Sequence, residues 1–419
     1  MSIQQISKND KAVLRELGRK YAEIAANPVN QTRQKLWKRL NNIERVKPPV
    51  CIYEIPWCEM NVNDELTVRT QDPLCGALEQ NLRMTIYRWD HMPGDMVVEP
   101  VICAPVALTD SGFGIEEDVD VTKTDEKNDV VSRHFNIQIK EEADAEKIKM
   151  PVITHDVKKS AEILEFVADI FKGIIRVKRG GVKEFSFNAW DELVRWTGVQ
   201  EVLMDMAIRP EYVHVLMRRL TRAYLARLDQ YDALGLILQN NDNSYSTSGG
   251  LGYTEALPKL DSDKKTVHPM DCWGRSMSQI FSEVSPEMHD EFALQYEMEW
   301  LKRFGVTYYG CCEPLHKKVG ILKKVPNLRK ISMSPWINFN EAVANIGRNY
   351  VFSFKPNPAL LAVDTWNPEN VRKYLAEKLE ITKSCVVEII LKDISTVRHQ
   401  PERLWEWARI AAEVSAQYA

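Results

Sequence analysis

The chain has 419 residues, enough for one large domain or two ordinary ones. Its hydrophobic fraction of 44% and charged fraction of 27% are typical of a soluble globular protein. With 55 basic and 59 acidic residues the net charge is −4 and no basic tail is present, which argues against nucleic-acid binding.

The sequence gives no indication of export or membrane insertion. Its charged, amphipathic first segment lacks the apolar region of a secretory signal, and no run approaches the roughly 18 apolar residues of a membrane span. The eight cysteines are too scattered for a disulfide scaffold and lie at positions 51, 58, 75, 103, 272, 311, 312 and 385. We therefore expect a cytoplasmic protein with no membrane or nucleic-acid partner.

Residues 1–150 have an irregular pattern, and we expect them to form an α+β extension packed as a cap on the rest of the chain. Helical patterns and strand-like runs occur in this part without a regular alternation. The helical segments are 8–46 and 75–88, and the strand-like runs are 50–56, 97–108 and 134–139.

From about residue 170, short apolar runs alternate with longer amphipathic segments, which is typical of βα units around a parallel sheet. Two of these segments begin with a capping residue followed by proline, Ser285-Pro286 and Asn367-Pro368. Eight such runs predict a (β/α)₈ TIM barrel over residues 151–419, with a doubly wound open sheet as the alternative. The runs are 173–178, 202–207, 236–240, 272–280, 306–311, 329–335, 350–356 and 386–393.

Polar side chains collect at the ends of these runs, where a (β/α)₈ barrel places its active site. Lys355 lies beside a Pro-Asn-Pro turn that fixes its direction, so we expect it to face an anion. Lys392 and Asp393 are either site residues or an ion pair that closes the barrel end. The other candidates are Asn240, Asp271, Trp273, Gln279, Cys311, Cys312, Glu313, Trp336 and Asn357.

The stretch YYGCCEP (308–314) contains two adjacent cysteines followed by a carboxylate. Adjacent cysteines rarely form a disulfide, because the small ring strains the bond. Thiolates near a carboxylate suit zinc, and a nucleophilic thiolate is a second interpretation. The spacing also leaves open that one cysteine is simply buried. By contrast, SGGLG (248–252) lacks a phosphate-loop pattern and is predicted to be a flexible lid.

Residues 170–415 resemble the uroporphyrinogen decarboxylase superfamily, including its cobamide-dependent methyltransferase branch. YYGCCEPL takes the place of the family's His-x-Cys-Gly stretch, and FKPNPA that of its Gly-Asn-x-x-Pro stretch. Residues 1–150 resemble an extension found in a subset of the superfamily. The motifs that carry the resemblance are DCWGRSMSQ (271–279), YYGCCEPL (308–315), ISMSPW (331–336), FKPNPA (354–359) and IILKDISTV (389–397).

This resemblance implies a site and a cofactor. In the methyltransferase branch a His-x-Cys pair and a later cysteine hold zinc, so the corresponding ligands here are Cys311, Cys312 and Asp393. The remaining candidates divide by role: Glu313, Lys392 and Asp271 are catalytic, and Lys355, Asn357, Trp273, Gln279, Trp336 and Asn240 bind substrate. No Asp-x-His-x-x-Gly stretch is present, so a corrinoid would be carried by a partner protein.

The leading functional hypothesis is therefore a zinc-dependent methyltransferase. It would move a methyl group between a small methyl ether, amine or thiol and a corrinoid on a separate protein. The alternative is a cofactor-free decarboxylase, with Asp393 or Asp271 as the acid and Lys355 or Arg275 binding a carboxylate. Authentic uroporphyrinogen decarboxylation is not expected, because the RQAGR-like stretch is missing. A non-catalytic tetrapyrrole or corrinoid carrier ranks last, and the family suggests a homodimer.

Overall fold

The computed structural model describes residues 6–123, 131–246, 248–258 and 266–418. Both capping contacts that the sequence predicts are present: the Ser285 hydroxyl accepts a hydrogen bond from the Met288 N–H at 3.2 Å, and the Asn367 Oδ1 accepts one from the Glu369 N–H at 3.0 Å. The helices are α1 (Lys8–Ala26), α2 (Val29–Asn41), α3 (Trp57–Met60), α4 (Pro73–His91), α5 (Val157–Phe171), α6 (Ala189–Thr197), α7 (Val199–Ile208), α8 (Pro210–Ala233), α9 (Pro286–His289), α10 (Gln295–Leu301), α11 (Val319–Leu322), α12 (Phe339–Ile346), α13 (Ala359–Ala362), α14 (Pro368–Thr382) and α15 (Glu402–Ser415).

The strands are short, with two to six residues each. The strands are β1 (Val50–Ile52), β2 (Val101–Ala104), β3 (Leu108–Asp110), β4 (Val119–Thr122), β5 (Ser132–Phe135), β6 (Ile153–His155), β7 (Arg176–Arg179), β8 (Ser186–Phe187), β9 (Trp273–Ser276), β10 (Val306–Tyr309), β11 (Leu328–Met333), β12 (Val351–Phe354) and β13 (Val386–Leu391). A π-helical turn at Asp290–Leu294 joins α9 to α10, so the helix predicted over 286–304 is interrupted rather than regular.

The main sheet in the described residues has seven parallel strands in the order β8-β9-β10-β11-β12-β13-β1. From β8 to β13 this order follows the chain without a reversal, whereas a doubly wound sheet reverses its order at a switch point. All residues of β9, β10, β12 and β13 are buried, as expected for parallel strands covered on both faces. Within the described residues the main sheet ends at β1 on one side and at β8 on the other, so its hydrogen bonds do not close it into a ring.

Three of the eight predicted strands do not lie in this sheet. The run 173–178 corresponds to β7, which pairs with β2 in a separate two-stranded sheet. The run 236–240 makes a single parallel bridge, between Ile237 and Val182. The prediction for 202–207 is wrong, because that segment lies in α7. Its buried residues are Val202, Asp205 and Met206, a helical spacing that a short apolar run hides.

The first part of the chain contributes to the main sheet as well as to a small layer of its own. Helices α1, α4 and α5 pack with β2 around a separate apolar cluster that includes Leu14, Leu82 and Phe171. Strand β1 is nevertheless hydrogen bonded to β13. The main sheet therefore includes a strand from the first 150 residues.

None of the helices in the described ranges combines the length and apolar composition needed to cross a membrane.

Candidate functional site

The turn after β10 brings the two adjacent cysteines to one site. Gly310 has a φ of 96°, and a Cβ atom there would lie 2.4 Å from the Cδ1 of Leu315. This conformation turns the chain sharply, and the sulfur atoms of Cys311 and Cys312 lie 3.5 Å apart. In a regular strand the two side chains would point to opposite faces.

Lys392, which follows β13, lies against both thiols. Its Nζ is 3.4 Å from the Cys311 sulfur, 3.9 Å from the Cys312 sulfur and 2.8 Å from the Asp393 Oδ1. Glu54, which follows β1, places its Oε2 3.3 Å from the same Nζ. The Lys392 side chain is only 4% exposed, whereas the side chains of Glu54 and Asp393 are 47% and 49% exposed, so the ammonium is buried but its carboxylate partners reach solvent.

The two residues whose carboxylates lie beside Lys392 have an unusual backbone conformation. Glu54 has a φ of 53° and Asp393 a φ of 56°, both in the left-handed region that favours glycine. The Asp393 N–H donates a hydrogen bond to the Glu54 Oε2, at 3.0 Å. Such conformations persist only where surrounding contacts hold them, and they cluster at functional sites.

The environment stabilises a thiolate on Cys311. A hydrogen bond from Cys312 is the main influence that lowers the pKa of Cys311 to about 5, and Lys392 and Ser248 contribute in the same direction against the effect of burial. The hydrogen bond to Cys311 and burial raise the pKa of Cys312. Burial alone would lower the pKa of Lys392, but the charges of Cys311, Cys312 and Asp393 raise it overall. The first thiolate to form is therefore on Cys311, with Cys312 and Lys392 as donors.

A cavity of about 360 Å³ opens beside the two cysteines, at the carboxyl ends of β10 to β13. Trp336, 69% exposed, forms part of the rim. Lys355 lines the wall, where its Nζ donates to the Tyr308 hydroxyl at 2.6 Å and to the Ser353 Oγ at 2.8 Å. Burial lowers the pKa of Lys355 to about 7. The predicted site residues that line this cavity are Cys311, Cys312, Trp336, Lys355, Asn357, Lys392 and Asp393.

Glu313 lies behind the cavity rather than in it. Its side chain is fully buried, where its Oε2 accepts the Cys311 N–H at 2.8 Å and its Oε1 the Ser278 N–H at 3.3 Å. Burial and the neighbouring Cys311 raise the pKa of Glu313 to about 7. It is positioned to orient the cysteine turn, not to touch a substrate.

Four other predicted site residues also lie outside the cavity. Asp271 and Trp273 are at the amino end of β9, the opposite end of the sheet, where the Trp273 Nε1 donates to the Gly252 carbonyl at 2.8 Å. The Asn240 side chain donates to the carbonyls of Lys183 and Trp273. Gln279 donates to the Asp191 Oδ2 at 2.9 Å.

Two residues that contact the site are not among the candidates predicted from the sequence. Glu54 lies two residues after β1, so the rule that polar strand ends form the site would have found it had β1 been counted as a strand of the main sheet. Ser248 donates to the Cys311 sulfur at 3.5 Å and itself accepts a hydrogen bond from Arg275.

The predicted lid, SGGLG (248–252), is a buried segment instead. A Cβ atom at Gly249 would lie 2.7 Å from the Tyr308 Cε2, and one at Gly250 would lie 2.1 Å from the Trp37 ring. The glycines therefore permit close packing inside the molecule rather than motion over its surface. The prediction of a flexible lid is wrong.

The residues predicted to hold zinc do not fit that ion. Within the described ranges, no three His, Cys, Asp or Glu side chains are arranged to hold a metal ion. Cys311, Cys312 and Asp393 are grouped, but the ammonium of Lys392 already contacts all three. A cation bound by the same side chains would have to compete with that positive charge.

A second cavity, of about 340 Å³, lies beside the small β2–β7 sheet. Its walls come from α1, α4, α5, β2, β7 and two loops, and it shares no lining residue with the cavity beside Cys311. It contains an ion pair between Lys183 and Asp242. Cys103 also lines it, but the paired cysteines and Lys392 lie only at the cavity beside Cys311.

The fold and site together define an α/β protein with a parallel sheet wound in one direction and a cysteine site at its carboxyl edge. No family model matches the chain, and no curated protein matches its sequence. Among solved structures, the chain is similar to a methyltransferase from Methanosarcina mazei, with a TM-score of 0.51 and 10% sequence identity. The match covers 92% of this chain and 99% of that one. At this identity the similarity describes the fold.

Proposed function

We propose that this chain is a methyltransferase of the uroporphyrinogen decarboxylase superfamily, with its main sheet closed into a (β/α)₈ barrel. It would exchange a methyl group between a small ether, amine or thiol and a corrinoid carried on a separate protein. The sequential order of the parallel strands and the similar fold of a methyltransferase support this proposal. The chemistry of the cavity beside Cys311 supports it further.

The observation that carries the proposal is the environment of Cys311. Its sulfur lies at the cavity wall, is only 6% exposed, and has Lys392, Cys312 and Ser248 as hydrogen-bond donors. A thiolate is the nucleophilic form of cysteine, and nearby positive charge favours it. A buried, hydrogen-bonded sulfur at a small cavity is suited to attack a methyl carbon.

In the proposed step, the Cys311 sulfur forms a bond to the methyl carbon. The bond from that carbon to its carrier breaks, and the electron pair of the broken bond stays with the carrier. Lys392 would stabilise the thiolate before the reaction, and Lys355, Asn357 and Trp336 would position the substrate. When its carrier protein docks, the corrinoid would serve as the other methyl donor or acceptor. No step is assigned to zinc, because the residues do not fit it.

The test is a single-turnover reaction with methylcobalamin as the probe. The wild-type chain should demethylate it, as followed by the change in its visible spectrum, and mass spectrometry should locate one added methyl group on Cys311. Cys311→Ser should abolish both signals, because a serine hydroxyl remains protonated at neutral pH. Cys103→Ser, at an exposed cysteine of β2 outside this cavity, should behave as wild type.

The proposal fails if Cys311→Ser transfers methyl groups at the wild-type rate. It also fails if methylation occurs on another cysteine while Cys311 stays unmodified.

Two lysines at one cavity favour a second candidate, a cofactor-free decarboxylase. Lys355 and Lys392 both line the cavity and could bind the carboxylate of a small acid. Such an enzyme would release CO₂ from a carboxylated substrate with no corrinoid present, and Lys355→Met would abolish the release. Release of CO₂ without methylation of Cys311 would favour this candidate over methyl transfer.

A further inference from the structure

Lys392 places a positive charge among the residues that the family resemblance assigns to zinc. Its Nζ is 2.8 and 2.9 Å from the two Asp393 oxygens, 3.4 Å from the Cys311 sulfur and 3.9 Å from the Cys312 sulfur. We infer that the Lys392 ammonium is the built-in cation of this site and takes the place of a metal ion. This inference rests on the proposed function only in placing the reaction at this cavity.

The surroundings of the ammonium match its hydrogen-bonding capacity. An ammonium has three N–H donors and no acceptor, and here it faces the Asp393 carboxylate, the Cys311 sulfur and, at 3.3 Å, the Glu54 carboxylate. A buried charge persists only when it is paired and hydrogen bonded, and Lys392 meets both conditions. The site is therefore complete without an added ion.

The backbone fixes this arrangement from two strands. Lys392 directly follows β13, and Glu54 lies just beyond β1, the strand paired with β13. The Asp393 N–H joins the two ends through its hydrogen bond to Glu54. Glu54 and Asp393 both hold a left-handed backbone conformation at these strand ends, where both carboxylates contact Lys392.

The same geometry explains why a metal is excluded. The Cys311 and Cys312 sulfurs are 3.5 Å apart, and Cys312 and the Asp393 Oδ2 are also 3.5 Å apart. A divalent ion bound to these three side chains would lie within a few ångströms of the almost fully buried ammonium, and the two positive charges would repel each other. Removing the charge of Lys392 should therefore let these side chains, which are not arranged to hold a metal ion in the wild-type chain, close around one.

The experiment titrates the purified full-length chain with Co²⁺, which gives thiolate-to-metal charge-transfer absorption when cysteines bind it. The wild-type chain should show no such absorption and should retain no zinc after incubation with Zn²⁺ and gel filtration. Lys392→Met should show the absorption and retain about one metal ion per chain, held by two thiolates and a carboxylate.

Two controls separate charge from other effects. Lys392→Arg keeps a cation at the same position and should still exclude metal. Lys355→Met removes the other lysine of the cavity, whose Nζ contacts Tyr308 and Ser353 instead of the thiols, and should also bind no metal.

The inference is overturned if the wild-type chain binds one Co²⁺ with thiolate absorption. It is equally overturned if Lys392→Met binds none while its circular dichroism and melting temperature match those of the wild type. Lys392→Gln, a polar neutral replacement, provides the same test if the methionine variant does not fold. Because these measurements involve no methyl transfer, their failure is distinct from failure of the proposed function.

Discussion

The conformation of the cysteine turn depends on one residue, Gly310. Its φ of 96° is strained for any residue with a Cβ atom, and the Leu315 side chain occupies the space that a Cβ would need. Gly310→Ala should therefore lower the free energy of unfolding by more than about 1 kcal/mol and displace Cys311 from Lys392. Urea unfolding and alkylation of Cys311 with iodoacetamide measure the two effects.

Gly320→Ala is the matched control for this variant. Gly320 lies in α11, and nothing lies within 4 Å of the position of an added Cβ. The substitution there should stabilise the chain by up to about 1 kcal/mol, since alanine favours a helix over glycine. Equal effects of the two substitutions would show that the turn imposes no special conformation.

Substitution of Glu313, a buried residue next to the site, tests whether this residue positions the cysteine turn or takes part in the reaction itself. It accepts the N–H groups of Cys311 and Ser278, so Glu313→Gln should weaken the turn without removing a group that touches substrate. We expect kcat to fall while KM changes little, because the nucleophile is misplaced and the cavity wall is intact. A rise in KM alone, measured in the methylcobalamin assay, would contradict this role.

At the scale of elements, β11 and β13 are linked across β12 by a fully buried ion pair. Lys330 donates to the Glu388 Oε2 at 2.7 Å, and both side chains are completely inaccessible to solvent. Lys330→Met should cost about 3–5 kcal/mol of unfolding free energy, because it leaves the Glu388 carboxylate buried without its partner. Urea unfolding with a circular dichroism readout measures this loss.

The double variant Lys330→Met/Glu388→Leu distinguishes the loss of the ion pair from the loss of packing around the two side chains. Since it removes both charges, it should recover most of the lost stability. If the double variant is as unstable as the sum of the single ones, the two side chains do not act as a pair.

The contact between α9 and β10 predicts a pH dependence of stability. Burial lowers the pKa of His289 to about 3, and its Nε2 is 2.5 Å from the Tyr309 hydroxyl. In the unfolded chain the ordinary value of 6.5 applies, so the unfolded state binds the proton more readily. The free energy of unfolding should therefore rise with pH between about 3 and 6.5.

His289→Gln should flatten this part of the pH dependence, as measured by urea unfolding at several pH values. Buried Glu297, whose pKa burial raises to about 6, acts in the opposite sense, and its smaller contribution remains in the variant. The exposed His134 on β5 is the control position. An unchanged slope in His289→Gln would contradict the assignment.

At the scale of the whole molecule, the first 150 residues complete the main sheet. Besides β1, they contribute Trp37, which is fully buried against the segment 248–252, and Asn41, which donates to the carbonyls of Leu251 and Tyr253 at 2.8 and 2.7 Å. A fragment of residues 151–419 should therefore fail to fold, with no cooperative melting transition. Co-expression with residues 1–150 should restore it, and independent folding of the fragment would instead support separate domains.

The sequence predicts those strands of this fold that depend on local patterns, and it does not predict those that depend on pairing with distant residues. The predicted runs around 306–311, 329–335, 350–356 and 386–393 all contain a strand of the main sheet. The runs 306–311, 350–356 and 386–393 consist mostly of apolar and aromatic residues, a pattern that can be recognised without knowledge of their neighbours. The two-residue β8 could not be predicted, since its strand conformation comes from its pairing with β9.

The parallel α/β class and the position of Cys311, Cys312, Lys355 and Lys392 at strand ends follow from the amino-acid sequence alone. Both depend on local patterns, namely apolar runs and the polar residues that follow them. The contacts of Lys392 with both thiols and with Glu54 arise only in the folded chain, because they link residues that are far apart in the sequence. The burial of the glycine segment 248–252 likewise depends on distant residues, because its glycines pack against Tyr308 and Trp37.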